Sequence, residues 1–272
     1  MRIALSLEYD GSAFCGWQTQ PSACAVQDAV DAALSRIAAH PVRSQCAGRT
    51  DAGVHALNQV IHFDTTAHRP LTAWVRGMNT LLPESVAVQW AREVSEEFHA
   101  RNRARGRAYT YLLLNRPERP AVHHARVGWH HRPLDVGRMR EALLALLGTH
   151  DFSAFRAAEC QAASPVKELR RAQVRHLGDL LVFEFAADAF LHHMVRNIVG
   201  SLVKVGDGSR PPHWLQQVLE SRDRSLAAPT FPPNGLYLIA VEYDALWGLP
   251  ATPVRLPADV LLGAGATFIV AS

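Results

Sequence analysis

The chain has 272 residues, of which 48% are hydrophobic and 19% charged, with a net charge of +3. This balance is typical of folded globular domains and excludes wholesale disorder, and no apolar run reaches the roughly 20 residues of a membrane span. Because the net charge is small, a polyanionic partner would have to be bound by local basic clusters.

The hydrophobic periodicity of the first hundred residues predicts the element order β-α-β-β-α-β. Residues 2–10 alternate between apolar and polar side chains as a strand does, which favours a strand over a signal peptide. Residues 26–37 place apolar side chains at helical spacing. The other predicted elements are strands at 41–46 and 57–64, a helix at 70–81 and a strand at 86–94.

The rest of the chain repeats this order. The predicted elements are a strand at 108–115, a helix at 136–147, strands at 166–176 and 180–187, helices at 192–205 and 211–221, and a last strand at 236–243. The fold class is therefore predicted as α+β, with two ferredoxin-like or RRM-like halves joined into one large antiparallel sheet that carries helices on one side. The predicted domains are 1–105, 106–248 and a tail of unknown role at 249–272.

Cysteine and histidine usage bears on metal sites and on the cellular compartment. The four cysteines are scattered without a CxxC pair (Cys15, Cys24, Cys46 and Cys160), which argues against a zinc ribbon and a disulfide framework and favours a reducing cytoplasm. Adjacent histidines such as His192 and His193 are expected to point their rings apart. Since there is also no HExxH motif, we expect no catalytic metal.

The stretch from Ala47 to Ala56, with the sequence AGRTDAGVHA, is the most informative part of the chain. Its carboxylate, Asp51, lies between Gly48 and Gly53, and glycine allows close backbone approach. The stretch connects two predicted strands, where catalytic groups often lie. A hairpin turn with a solvated aspartate is the competing interpretation.

A second group of residues has the chemistry to contact nucleic acid. Arg101, Arg103, Arg105 and Arg107 occupy every second position, so an extended chain would align their guanidinium groups as a row that matches phosphates. Tyr109 follows and could stack on a base. A solvated basic linker is the alternative.

One further arginine, Arg196, lies within the mostly apolar predicted helix near residues 192–205. A buried charge without a partner is costly, so this side chain either extends to solvent or pairs with a carboxylate. Asp51 is an attractive partner, because a fixed positive neighbour would keep it ionised.

These residues fall within a longer resemblance. Six blocks occur in the order found in the bacterial tRNA pseudouridine synthase A family: Tyr9-Asp10-Gly11 with Gly16-Trp17-Gln18, the GRTDAGVHA block around Asp51, Phe98 to Tyr109, Gly148 to Phe152, Phe190 to Gly200, and Gly235 to Leu238. The chain therefore resembles this family from Tyr9 to about Tyr243.

The resemblance implies isomerisation of uridine to pseudouridine in the anticodon stem-loop of tRNA, at the nucleotides conventionally numbered 38, 39 and 40. It also implies a homodimer without a cofactor or metal. By carry-over, Asp51 is the catalytic aspartate, and Arg49 helps to displace the target base. Tyr109 packs on the base, Arg196 pairs with Asp51, and Leu236 lines the uracil pocket.

The chain departs from the family pattern at two places. Phe231 stands within the run that precedes the Gly235 block, where the family has a Thr-Ala-Pro-Pro type of sequence, which changes the expected pocket wall. The tail beyond about Gly248 exceeds the family pattern.

Two other functions compete with the isomerase. A non-catalytic RNA-binding protein would use the same basic row, but it gives no reason for Asp51 and Arg196 to occur together. A nucleoside or glycoside hydrolase would need a second carboxylate facing the same bond, for which Asp151 and Asp188 are the candidates.

Overall fold

The computed structural model describes residues 1–251, so the predicted tail lies outside the described residues from position 252 onward. Helices are interspersed among the strands along the chain. In order they are β1 (Arg2–Tyr9), α1 (Val26–Ala38), β2 (Gln45–Cys46), β3 (His55–Asp64), α2 (Met78–Leu81), β4 (Val86–Val94), β5 (Ala104–Asn115), β6 (Gly128–His130), α3 (Val136–Leu143), β7 (Gly148–Asp151), β8 (Val166–Leu177), β9 (Leu180–Ala187), α4 (Met194–Gly206), α5 (Trp214–Ser221) and β10 (Leu236–Tyr243).

The first of two compact units contains residues 1–105 and the chain from Tyr237 onward. Its strands follow the order β4-β1-β3-β10. β1 is antiparallel to both of its neighbours, while β10 runs parallel to the start of β3, with Tyr237 opposite His55. Because β1 is an inner strand, Ile3, Leu5 and Leu7 are all almost completely buried.

The second unit contains residues 106–236. Its strands follow the order β5-β9-β8-β7 with antiparallel pairing throughout, and β6 adds to β5 in parallel. The helices α3, α4 and α5 pack against one another. A group of aromatic side chains forms much of the buried core of this unit: Phe152, Phe155, Phe183 and Phe185.

The predicted α+β class is confirmed, and several element bounds need correction. The predicted strand at 41–46 shrinks to Gln45–Cys46, because side chains of α1 satisfy the backbone there: Ser35 accepts from Val42 N–H and Asp31 from Ser44 N–H. The predicted helix at 136–147 ends at Leu143 and continues as a 3₁₀ turn.

The last strand, β10, lies in the first unit rather than in the predicted second half at 106–248. Alternation of apolar residues predicts a strand, but it does not identify the strand's partner. β6 and β7 were not predicted, since strands of three and four residues are too short to show an alternating pattern.

The expectation that the cysteines form no disulfide is wrong for one pair, because Cys15 and Cys24, which are nine positions apart in sequence, form a disulfide. Cys46 and Cys160 are free thiols. Within residues 1–251, no helix is both long and apolar enough to cross a membrane.

Candidate active site

Asp51 lies in a tight loop that enters β3. The loop leaves the sheet at Ala47, whose N–H donates to the Val60 carbonyl at 2.8 Å, and it turns sharply where Val54 N–H donates to the Asp51 carbonyl at 3.1 Å. Gly53 completes the turn with φ of 76°, a left-handed conformation that favours glycine. Asp51 is half-buried, and Arg49 beside it is exposed.

A buried amide side chain fixes the first half of this loop. Gln59 on β3 is fully buried, and its amide contacts both backbone groups of Gly48. The Gln59 Nε2 donates to the Gly48 carbonyl at 2.5 Å, and Gly48 N–H donates to Gln59 Oε1 at 3.3 Å. The Gln59 side chain thereby satisfies the backbone of Gly48, a loop residue outside the strands, in the way that a neighbouring strand would.

A hydroxyl pair fixes the loop next to Asp51. The Tyr9 hydroxyl lies 2.8 Å from the Thr50 Oγ1, and both side chains are buried. Gln59 Nε2 also reaches the Tyr9 hydroxyl at 3.5 Å. Since buried polar groups are costly when unsatisfied, this network favours one loop conformation.

Gly16 and Trp17 hold the loop from a second side. Trp17 N–H donates to the Thr50 carbonyl at 3.0 Å. Gly16 has φ of 97°, and a Cβ placed on it would lie 2.8 Å from the Thr50 oxygen and 3.1 Å from the Asp51 carbonyl carbon. Only glycine allows the two backbones to approach this closely.

The end of the loop is fixed at Val54 and His55. Gly11 N–H donates to His55 Nδ1 at 3.1 Å, and a Cβ on Gly11 would lie 2.0 Å from the Val54 oxygen. The His55 ring stacks on Tyr237 with centroids 4.6 Å apart. The structure therefore brings the blocks around Tyr9 and Gly16 against the Asp51 loop, within one unit.

Sequence reasoning missed Gln59. The available signal was a polar side chain in the middle of a predicted strand, directly before Val60 and Ile61. A buried glutamine in such a strand needs hydrogen-bond partners, and here the partners belong to the loop.

Replacing Gln59 by methionine is expected to lower the free energy of unfolding by about 1–3 kcal/mol, because both backbone groups of Gly48 lose their partner while side-chain volume is kept. Urea denaturation followed by circular dichroism measures the change. Gln216→Met is the matched control: Gln216 is exposed on α5, and the same substitution there is expected to stay within about 0.5 kcal/mol. Equal effects at the two positions would contradict a role for Gln59 in holding the loop.

In the second unit, Tyr109 lies on β5 opposite Phe185 of β9. Its ring is half-buried and meets the edge of Phe190 at a centroid distance of 5.0 Å. Leu236, at the start of β10, is buried.

Arg196 lies in the first turn of α4 and is tied to the segment that contains Phe231. The Arg196 Nε donates to the Phe231 carbonyl at 2.9 Å, and Phe231 N–H donates back to the Arg196 carbonyl at 3.2 Å. The Phe231 ring packs against Tyr111 with centroids 5.7 Å apart. The departure from the family sequence at Phe231 therefore places an aromatic ring on Tyr111 and leaves its backbone bound to Arg196. The predicted pairing of Arg196 with Asp51 stays a prediction.

The premise of one extended arginine row is wrong for Arg101 and Arg103. These two residues lie in a turn before β5, where Arg103 N–H donates to the His99 carbonyl at 3.0 Å. The Arg103 guanidinium lies over the Trp247 ring, and Arg105 forms an ion pair with Asp244.

Arg107 is on β5, and its guanidinium donates to the Asp188 carbonyl at 3.1 Å. The side chains of Arg101, Arg103 and Arg105 are exposed, so they stay candidates for phosphate contact without the single strand face that the sequence suggested.

The expectation that adjacent histidine rings point apart is wrong for His192 and His193. Their ring centroids are 4.0 Å apart. His193 adopts φ of 62°, a left-handed backbone conformation that removes the alternation on which the expectation depended.

Comparison with known proteins gives a consistent result. A family model described as tRNA pseudouridine synthase matches residues 5–101 and 142–244. The chain is 61% identical over 257 residues to a tRNA pseudouridine synthase A from Thiobacillus denitrificans, covering 94% of this chain and 99% of that relative. A relative of the same description from Dechloromonas aromatica is 60% identical, covering 92% of this chain and 95% of the relative.

Among solved structures, a Cbf5-Nop10-Gar1 complex is similar with a TM-score of 0.37 and 10% identity, covering 87% of this chain and 48% of that chain. A similarity of this size carries no argument about function.

Proposed function

The chain belongs to the tRNA pseudouridine synthase family, isomerases that make pseudouridine in tRNA, and from this premise we propose that Asp51 is its catalytic carboxylate. The observation that carries the proposal is the loop itself. Tyr9, Gly16 and Gln59 all fix the backbone around a half-buried carboxylate. A solvated hairpin aspartate would need no such support.

The chemistry requires one carboxylate and a displaced base. The C–N bond between uracil and ribose breaks, the base turns, and a C–C bond forms to the same sugar, so nothing is oxidised and no group is lost. Asp51 acts in one of two ways: as a nucleophile that attacks the ribose or the uracil, or as a general base that removes a proton from the ribose. Because the loop that carries Asp51 is fixed by Tyr9, Gly16 and Gln59, the carboxylate can be positioned without reorganisation during the reaction.

The target base must first leave the helical stack, at a cost of a few kcal/mol. Arg49 is exposed beside Asp51, which supports its proposed role in displacing the base. Tyr109 has a half-buried ring, suited to contact a base face. Arg196 and Leu236 keep the supporting roles that the resemblance implies.

We propose the anticodon stem-loop of tRNA as the substrate region, with the uridines at positions 38, 39 and 40 as targets. A homodimer in the cytoplasm is part of the same proposal. The substrate region, the target uridines and the homodimer follow from the family resemblance, and the cytoplasmic location follows from the scattered cysteines.

Incubation of the purified protein with unmodified tRNA tests this function. Pseudouridine is mapped by carbodiimide treatment and primer extension, with an Asp51→Asn variant beside the wild type. Primer-extension stops in the anticodon arm with wild type alone are the expected result. Release of free uracil would instead indicate a hydrolase, and tRNA binding without stops would indicate a binding protein.

Replacing Arg101, Arg103 and Arg105 together by alanine is expected to weaken tRNA binding and to flatten its salt dependence. Each lost phosphate contact should reduce the slope of log K against log salt by about 0.7–0.9. Filter binding at several salt concentrations gives the slope.

The control removes the same charge elsewhere. Arg36, Arg43 and Arg76 are exposed; Arg36 lies on α1, and Arg76 lies on the helical turn Ala73–Gly77 that precedes α2. Replacing these three by alanine should change the slope by less than the first triple. Equal slopes in the two triple variants would restore the interpretation of a solvated linker.

A further inference from the structure

A disulfide joins Cys15 to Cys24 in the segment that contacts the Asp51 loop. We propose that these cysteines form a reversible redox site, oxidised by small-molecule disulfides, whose bond rigidifies both this segment and the Asp51 loop. The redox site is inferred from the positions of the two cysteines. The importance of the Asp51 loop for catalysis rests on the proposed function.

The loop between the two cysteines is organised by hydrogen bonds that do not depend on the disulfide. Cys15 N–H donates to the Cys24 carbonyl at 3.0 Å, and Gln20 Nε2 donates to the Cys15 carbonyl at 2.9 Å. A turn closes the loop where Ala23 N–H donates to the Gln20 carbonyl at 2.9 Å. These bonds keep the Cα atoms near their 5.5 Å separation, so the reduced thiols stay adjacent and re-form the bond readily.

The exposure of Cys15 distinguishes the pair from Cys46, which is half-buried. Cys15 is exposed and Cys24 half-buried, so a dissolved reagent can reach them. Burial raises the pKa of the Cys46 thiol to about 12, which keeps that thiol protonated and unreactive.

Cys160 is the competing thiol. Burial opposes its ionisation, but N–H groups of Ala162 and His192 together with the Arg156 guanidinium lower its pKa below the usual value. The experiment is therefore designed in a Cys160→Ser background.

The cross-link lies two residues from the hydrogen bond that Trp17 makes to the Asp51 loop. Gly16 follows Cys15, and its carbonyl accepts from Val26 N–H at 3.1 Å. Trp17 accepts at its carbonyl from Gln27 N–H at 3.0 Å, and its own N–H donates to the Thr50 carbonyl at 3.0 Å. The disulfide therefore closes one end of a short ladder of hydrogen bonds between residues 15–17 and 24–27. At the other end of this ladder, Trp17 is bonded to Thr50, the residue before Asp51.

Oxidised glutathione is the two-electron oxidant that forms the bond. The thiolate of one cysteine attacks a sulfur of oxidised glutathione, forming a mixed disulfide and releasing one glutathione thiolate. The second cysteine thiolate then attacks the protein sulfur of that mixed disulfide and releases the second glutathione. Two thiols are oxidised, one small disulfide is reduced to two thiols, and the two protons pass to glutathione.

The test compares Cys160→Ser protein after dithiothreitol and after oxidised glutathione, with Cys15→Ser/Cys160→Ser as the matched control. Alkylation and mass spectrometry count free thiols, thermal unfolding gives the Tm, and hydrogen–deuterium exchange reports on residues 14–27 and 47–56. We expect glutathione to remove two thiols reversibly, to raise the Tm by about 5–10 °C and to slow exchange in both segments. The control should keep its Tm and its exchange unchanged, and any thiol that it loses should carry a glutathione adduct on Cys24 instead of an internal disulfide.

Two results would overturn the proposal. Persistence of both thiols at a large excess of oxidised glutathione would remove the redox site. If the disulfide forms and hydrogen–deuterium exchange in residues 47–56 stays unchanged, the disulfide is not coupled to the Asp51 loop. Absence of pseudouridine in both redox states would overturn the proposed function instead, because none of the three readouts depends on activity.

Discussion

Replacing Asp51 by asparagine is expected to leave the protein folded and able to bind tRNA, with pseudouridine formation reduced by at least about 10⁴-fold. The substitution keeps the size of the side chain and removes only its charge and its ability to act as nucleophile or base. Because Tyr9, Gly16 and Gln59 fix the backbone of the loop rather than the carboxylate, the loop should keep its conformation. Single-turnover pseudouridine formation, measured beside tRNA affinity and Tm, separates these effects.

Asp179→Asn is the control for this substitution. Asp179 is exposed in the turn between β8 and β9 of the second unit, outside the Asp51 loop and the segments that hold it. The activity of Asp179→Asn should fall far less than that of Asp51→Asn. Near-normal turnover by Asp51→Asn would overturn the assignment, and a large loss of Tm in that variant would shift the explanation from chemistry to folding.

Local patterns allowed much of the fold to be predicted. The alternation in Ile3, Leu5 and Leu7 predicted β1, and the apolar spacing from Val26 predicted α1, because the apolar residues of each segment repeat at the period of that element. The Asp51 loop was identified for a similar reason. Its glycines and carboxylate stand together in sequence.

Features that depend on distant contacts could not be predicted in this way. The pairing of β10 with β3 joins residues far apart in sequence. The role of Gln59 depends on a loop eleven residues away, and the Cys15–Cys24 bond depends on a turn without the usual cysteine spacing. In each case the sequence shows the residue type, but only the tertiary structure determines which distant residue it contacts.

Gly16→Ala is expected to produce the second large effect, for two separable reasons. An alanine at φ of 97° is strained by about 1–2 kcal/mol, and its Cβ would meet the Thr50 oxygen at 2.8 Å. The steric contact should add about 1–3 kcal/mol or push the loop away. Since the same Cβ would lie 3.1 Å from the Asp51 carbonyl carbon, a shift of the loop displaces the carboxylate, and turnover should fall by roughly 10²-fold.

Gly208→Ala isolates the backbone contribution. Gly208 has φ of 80°, and nothing lies within 4 Å of a Cβ placed there, so alanine meets the same strain without the contact. Denaturant unfolding should show a smaller loss of stability for Gly208→Ala than for Gly16→Ala, and pseudouridine formation should change only in the latter. If both variants lose stability equally and both keep full activity, the close approach of Gly16 to Thr50 does not position Asp51. The position of Asp51 would then be set by the other contacts of the loop, those made by Tyr9, Trp17 and Gln59.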